Sequence, residues 1–206
     1  MLKPSKMLKD SPAFTAAEFT ALNAWFTSFL GWLRTSAFGM AEEAAGNNHA
    51  SYYDVQAMRY AIYLGNTTLA SQLATLARTR RVSTQINPDG SQPQEIARTK
   101  SLFYCEYNLT ALFGIAQLSN AVAVDLFGYQ SADGRSIRKA IDFLLPYADP
   151  ARMWPYPQLE PDDRTMLIPL LRRAGIAYAS PTYEQALTQY YAATLPTHII
   201  QLVYPK

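Results

Sequence analysis

The chain has 206 residues, 49% of them apolar and 17% charged, which is enough to build a sizeable core and too few charges for bulk disorder. Its net charge of +2 gives no argument for a nucleic-acid partner, and no apolar run approaches the roughly 20 residues of a membrane span. One cysteine, Cys105, excludes an internal disulfide, and with only His49 and His198 as histidines no His/Cys metal site is expected.

The pattern reads helical nearly throughout. Residues 15–45 carry Phe19, Leu22, Trp25, Phe26, Phe29, Leu30 and Leu33 at helical spacing, with start signals in Ser11-Pro12 and Thr15. Gly46-Asn47-Asn48 ends that stretch. A second helix is expected over about 51–64, closed by Gly65-Asn66, and a third over about 67–82. The run INPDGSQPQ, residues 86–94, is a loop by its Asn-Pro, Asp-Gly and Gln-Pro steps. A long helix follows over about 95–124, then a turn at Asp133-Gly134 and a helix over about 135–146. A Pro-rich stretch containing Trp154-Pro155-Tyr156 precedes two more helices, about 162–174 and 182–193. No strand is expected. Consecutive helices with short connections imply antiparallel helix pairs.

Two clusters carry candidate chemistry. Asn47-Asn48-His49 sits at a helix junction, where His49 is either a general base or a residue that caps and packs a helix end. The second cluster is polar, running from Asp89 to Lys100, and places Arg98 and Tyr104 at the start of the long helix. Six residues apart, these two lie about 240° around an ideal helix. They converge only if the helix edge borders a cleft or Arg98 lies in an irregular turn; otherwise they are a solvated arginine and a core tyrosine. Arg78-Thr79-Arg80-Arg81 reads as a solvated helix end rather than a polyanion site, and His198 as structural.

Taken together, Gly46-Asn47-Asn48-His49, Tyr52-Tyr53-Asp54-Val55-Gln56, Asp89-Gly90-Ser91-Gln92-Pro93-Gln94-Glu95 and Arg98-Thr99-Lys100-Ser101-Leu102-Phe103-Tyr104 resemble the signature blocks of the alginate lyase domain family. The spacing of His49, Arg98 and Tyr104 resembles polysaccharide lyase family 38 more than the family 5 alginate lyases. The resemblance implies an all-α domain over 1–206, an incomplete α/α toroid of helix pairs from which the amino-terminal helices are missing.

It also implies β-elimination on a uronic-acid polymer, alginate, mannuronan or glucuronan, with His49, Tyr104, Arg98 and Asn48 as catalytic residues. Asn48 and Arg98 would neutralise the substrate carboxylate. His49 or Tyr104 would take the C5 proton, and Tyr104 would protonate the departing O4. A tyrosine used as a base needs its pKa lowered from about 10, which the charge of Arg98 or Lys100 favours. Asn47, Tyr53, Gln92, Gln94, Glu95 and Lys100 are candidate substrate contacts; for Gln92, Gln94 and Glu95 a polar loop and helix cap is an equal reading, and Tyr53 either packs on a sugar or fills the core. No metal and no cofactor are expected, and the partner is an acidic polysaccharide rather than nucleic acid or membrane. The family resemblance implies a periplasmic or secreted protein, although the opening MLKPSKMLKDSPAF lacks the apolar stretch of a secretory signal. The competing expectation is a truncated, non-catalytic helical module that binds acidic polysaccharide.

Overall fold

The computed structural model describes residues 11, 13–161 and 164–205. Pro12, part of the first start signal, and the first two residues of the helix expected at 162–174 lie outside the described residues. Among the described residues the fold is all-α, with no strand beyond an isolated bridge between Lys100 and Gln158. It agrees with the expectation of helix pairs in an incomplete toroid.

Helix α1, Ala16–Thr35, starts with a reciprocal cap: the Glu18 backbone N–H donates to Thr15 Oγ1, and the Glu18 carboxylate accepts from the Thr15 backbone. The sequence reads as one apolar stretch to 45, but the chain breaks at Ser36. That residue closes α1 through its N–H to the Trp32 carbonyl and opens α2, Ala37–Ala44, by accepting from the Gly39 N–H at 3.1 Å. The close approach of the two helices admits only glycine at 39, since a Cβ there would overlap the Leu33 carbonyl oxygen. Trp25 and Phe29 stack on one face of α1 with rings 5.2 Å apart, and Trp25, Trp32 and Phe38 are exposed.

Asn47 caps α3, Asn48–Tyr63, and Gly65, at φ +76°, ends it. Asn66 caps α4, Thr67–Ala77, by accepting from the Leu69 N–H. The expected solvated arginine run is instead a five-residue π turn, Arg78–Val82, continued by a single turn at Ser83–Gln85. The wider turn swings Arg81 inward, where its Nε and Nη2 meet the two Asp54 oxygens at 2.8 and 3.1 Å with only 3% of Arg81 exposed. Arg80 pairs with Glu43 at the margin. The run therefore knits α4 to α2 and α3, which corrects the solvated-end reading.

The expected helix over 95–124 is also two pieces: a single turn, α5, Pro93–Ile96, and the central helix α6, Ser101–Asn120. Lys100 supplies no side-chain cap to α6. The Pro-rich stretch takes over that task. The Pro157 carbonyl accepts from the Ser101 N–H at 3.1 Å, Gln158 Oε1 accepts from the Leu102 N–H, and Trp154 Nε1 donates to Ser101 Oγ. Helices α7, Ile137–Leu144, and α8, Leu167–Tyr178, pack on α6, while α9, Pro181–Tyr190, and the short α10, Ile200–Val203, pack on α8. The core lies between α3, α4, α6 and α8, through Met58, Leu73, Leu109, Leu112, Phe113 and Leu171.

The Asp54–Arg81 pair gives a test of this packing. Arg81→Met leaves a buried carboxylate alone and is expected to cost about 3–5 kcal/mol in urea unfolding. Arg80→Met, at the half-buried pair with Glu43, is expected to cost no more than about 1 kcal/mol.

Candidate active site

Residues of α3, with Leu33 of α1, Glu42 of α2 and the start of α6, border a cleft of about 590 Å³. Asn48, His49, Arg98 and Tyr104 all line it, beside Tyr52, Tyr53, Gln56, Arg59 and Tyr107. Four residues that are up to 56 positions apart in the chain are thus on one concave surface. The geometric obstacle between Arg98 and Tyr104 is removed by the break between α5 and α6: Arg98 sits in the irregular link, not on the helix. Its guanidinium carbon lies 4.0 Å from the centroid of the Tyr104 ring, a cation over an aromatic face.

Asn48 is the first residue of α3, and its position is set by Glu95. The Asn48 backbone N–H donates to Glu95 Oε1 at 2.6 Å, while its Nδ2 lies 3.2 and 2.9 Å from Oε1 and Oε2. The amide nitrogen is thus held against both carboxylate oxygens. The carboxylate also fixes the amide's orientation, because the reverse orientation would set Oδ1 against two oxygens. An anion at the start of α3 is favoured further by the helix dipole. Asn48 is 5% and Glu95 1% exposed. Burial pushes the Glu95 carboxyl above its ordinary value, and the Asn48 donors pull it part of the way back. With the folded value above the unfolded one, this group's contribution to stability is fully present in acid and declines as pH rises through that interval.

His49 is on the open side of the cleft, its side chain 53% exposed, with Nδ1 2.8 Å from Glu42 Oε2. In a neutral imidazole, a carboxylate at Nδ1 favours the tautomer with the proton on Nδ1 and the lone pair on Nε2. Tyr52 and Tyr107 form an aromatic wall, rings 4.5 Å apart, and burial raises the Tyr52 hydroxyl far above its ordinary value. Tyr53 lines the cleft but is almost wholly buried.

Several expected substrate contacts are placed elsewhere. Gln92, 1% exposed, belongs to a polar knot in the core. Its Nε2 donates to the Cys105 carbonyl, and its Oε1 accepts from Asn108 Nδ2, which also reaches Gln85 Oε1. Glu95 is spent on Asn48. Lys100 pairs with Glu160 at 2.5 Å, away from the cleft. Gln94 is exposed beside Gly46, outside the cleft lining. Asn47 is a cap: its Oδ1 accepts from the His49 N–H and its carbonyl from Gln85 Nε2. In each case the side chain is engaged by the fold or turned from the cleft.

The sequence reading missed Glu42, Gln56, Arg59 and Tyr107. Gln56 and Arg59 follow His49 by seven and ten positions on α3, and Tyr107 follows Tyr104 by three on α6, so helical spacing from the two anchors points to all three. Nothing in the spacing reveals Glu42, because its helix ends before α3 begins.

The alginate lyase family profile matches residues 1–154 of the chain. The chain belongs to the alginate lyase family. A solved structure of an alginate lyase from Bacteroides ovatus is similar over 97% of this chain, with a TM-score of 0.90 and 35% sequence identity. The chain spans about half of that protein, 53% of its length. Among curated proteins, none matches the chain. Two of the resembling blocks reach the cleft: the Asn47-Asn48-His49 block, which opens α3, and the block from Arg98 to Tyr104, which spans the link and the first turn of α6.

Glu95→Gln tests the clamp on Asn48. It keeps the shape but sets an amide nitrogen against the Asn48 amide nitrogen. Urea unfolding is expected to show a loss of about 1–3 kcal/mol. The exposed neighbour Gln94→Ala is expected to change stability by less than about 0.5 kcal/mol.

Proposed function

We propose that the chain carries the catalytic cleft of a polysaccharide lyase, which breaks a 4-linked uronate polymer by β-elimination. The observation that carries this reading is the convergence of Asn48, His49, Arg98 and Tyr104 on one cleft, in a member of the alginate lyase family. Mannuronan, mixed alginate and glucuronan share the needed chemistry: a carboxylate on C5, a C5–H bond, and a sugar leaving through O4.

The C5 proton is weakly acidic until the adjoining carboxylate is neutralised. Arg98 offers a planar pair of donors for that carboxylate, and the Asn48 side-chain amide, oriented by Glu95, a third. These groups stabilise the enolate-like charge as it develops, a contribution commonly on the order of 10²–10³ in rate per donor. His49, through Nε2, takes the proton from one C5 epimer, and Tyr104, under the Arg98 guanidinium, takes it from the other. The electron pair left on C5 forms the C4=C5 double bond, the C4–O4 bond breaks, and the Tyr104 hydroxyl protonates O4. Proton and electron pair balance with no further reactant.

On this reading the protein works where the polymer is, in the periplasm or outside the cell. Among the described residues no helix is long and apolar enough to cross a membrane.

The test is the ultraviolet absorbance of the new double bond, followed on mannuronan, guluronan and glucuronan. Tyr104→Phe keeps the ring under Arg98 and removes only the proton donor, so turnover is expected to fall by at least about 10²–10⁴-fold with substrate binding nearly intact. His49→Ala is expected to match that loss on the polymer for which His49 is the base and to be milder on the other epimer. Retention of more than about a tenth of the rate by Tyr104→Phe, a barrier change of only about 1.4 kcal/mol, removes Tyr104 as the acid. Binding of the polymers with no unsaturated product from the unaltered chain would make this a module that holds acidic polysaccharide.

A further inference from the structure

Arg59 stands apart from the other cleft residues. It lies on α3 ten positions after His49, about 15 Å farther along the helix axis at the usual rise per residue. His49, Tyr52, Gln56 and Arg59 follow one another at three- and four-residue steps, so they form a stripe along the floor of one cleft. The distance exceeds the reach of a single sugar ring. Arg59 is therefore rooted almost three helical turns from the Asn48–His49 end of the cleft.

Its charge is also uncompensated. Arg81, Arg80, Arg135 and Arg172 each meet a carboxylate. Among the described residues Arg59 makes no hydrogen bond or ion pair, and its Nε is closed off from solvent without a partner. The charges that bear on its neighbourhood do not supply one. Glu42, the one acidic residue lining the cleft, is engaged with His49. Nε is closed off, while the two terminal nitrogens stay open to an anion that enters the cleft.

Building on the uronate reading above, we propose that Arg59 is a second carboxylate site, which binds the acid group of a sugar beyond the one that reacts. Its terminal nitrogens form the fork that matches a carboxylate, and Tyr52 and Gln56 span the interval between the two sites. The site makes the cleft select for polymers charged on successive sugars. It also makes it prefer oligomers long enough to reach Arg59.

The test compares the unaltered chain, Arg59→Gln and Arg59→Lys on polymannuronate and polyglucuronate, with ultraviolet absorbance for kinetics and calorimetry for binding of uronate oligomers of increasing length. Arg59→Gln is expected to raise KM by about tenfold or more, the size of one charged hydrogen-bonding contact, while kcat stays within about twofold. Arg59→Lys is expected to recover most of that loss, and the gain in affinity with oligomer length is expected to vanish in Arg59→Gln alone. A KM for Arg59→Gln within twofold of the unaltered chain, or a loss confined to kcat, overturns the site. If the unaltered chain binds oligouronate but releases no unsaturated product, the lyase reading fails by itself. Calorimetry then decides for Arg59: weaker binding by Arg59→Gln supports the site, and equal binding overturns it. No binding of oligouronate by the unaltered chain overturns both.

Discussion

The cleft depends on one buried carboxylate. Glu95 accepts from both the backbone and the side chain of Asn48, and so joins the loop before α6 to the first residue of α3. Every other element of the site is placed relative to that joint. His49 follows Asn48 by one residue, Arg98 follows Glu95 by three, and Tyr104 stands on the first turn of α6. A shift of this joint would move the proton acceptor, the carboxylate binder and the acid against one another, and proximity effects in catalysis are lost over distances of about 1 Å. Isolated in the interior the carboxylate would be costly, which is why it is paired to three donor contacts rather than left in the loop.

Two further devices hold the two halves of the site in register. Ser51 and Asn108 both donate to Gln85 Oε1, which links α3 to α6 through the turn after α4, and Gln92 continues the link to the Cys105 carbonyl. Such buried polar networks are specific because each unmet group would carry a penalty. On the other side, the Pro157 carbonyl and Gln158 cap α6 in place of a local residue. The Trp154-Pro155-Tyr156 block thus serves the site without touching it: it fixes the helix end that bears Tyr104.

The helices themselves were legible because their ends are written in local chemistry. Gly65-Asn66, Asn47 and Asp133-Gly134 all mark true boundaries. The break at Ser36 was hidden because apolar spacing continues across it, and only the contact between Gly39 and the Leu33 carbonyl makes it necessary. Arg98 and Tyr104 were found through the family blocks, not through periodicity, which set them on different faces of one helix. Three of the differences between expectation and structure share one physical cause. Gln92, Glu95 and Arg81 look like surface residues by type, yet each is buried against a partner 13 to 47 positions away: Cys105, Asn48 and Asp54. A single sequence shows the polar group and not the distant partner that makes its burial tolerable. Arg59 went unnoticed for the opposite reason, because the property that sets it apart is a missing partner.

The central claim is that Asn48 and Arg98 grip the carboxylate of the sugar whose C5–H faces His49 and Tyr104. A crystal structure of the Tyr104→Phe variant with a bound uronate oligomer tests it most directly. The account predicts one sugar carboxylate within hydrogen-bonding distance of both the Arg98 guanidinium and Asn48 Nδ2, with the C5 of that sugar beside His49 Nε2 or the ring at position 104. An oligomer lying outside the cleft, or one whose carboxylates all point to solvent while Asn48 and Arg98 remain unoccupied, would contradict it.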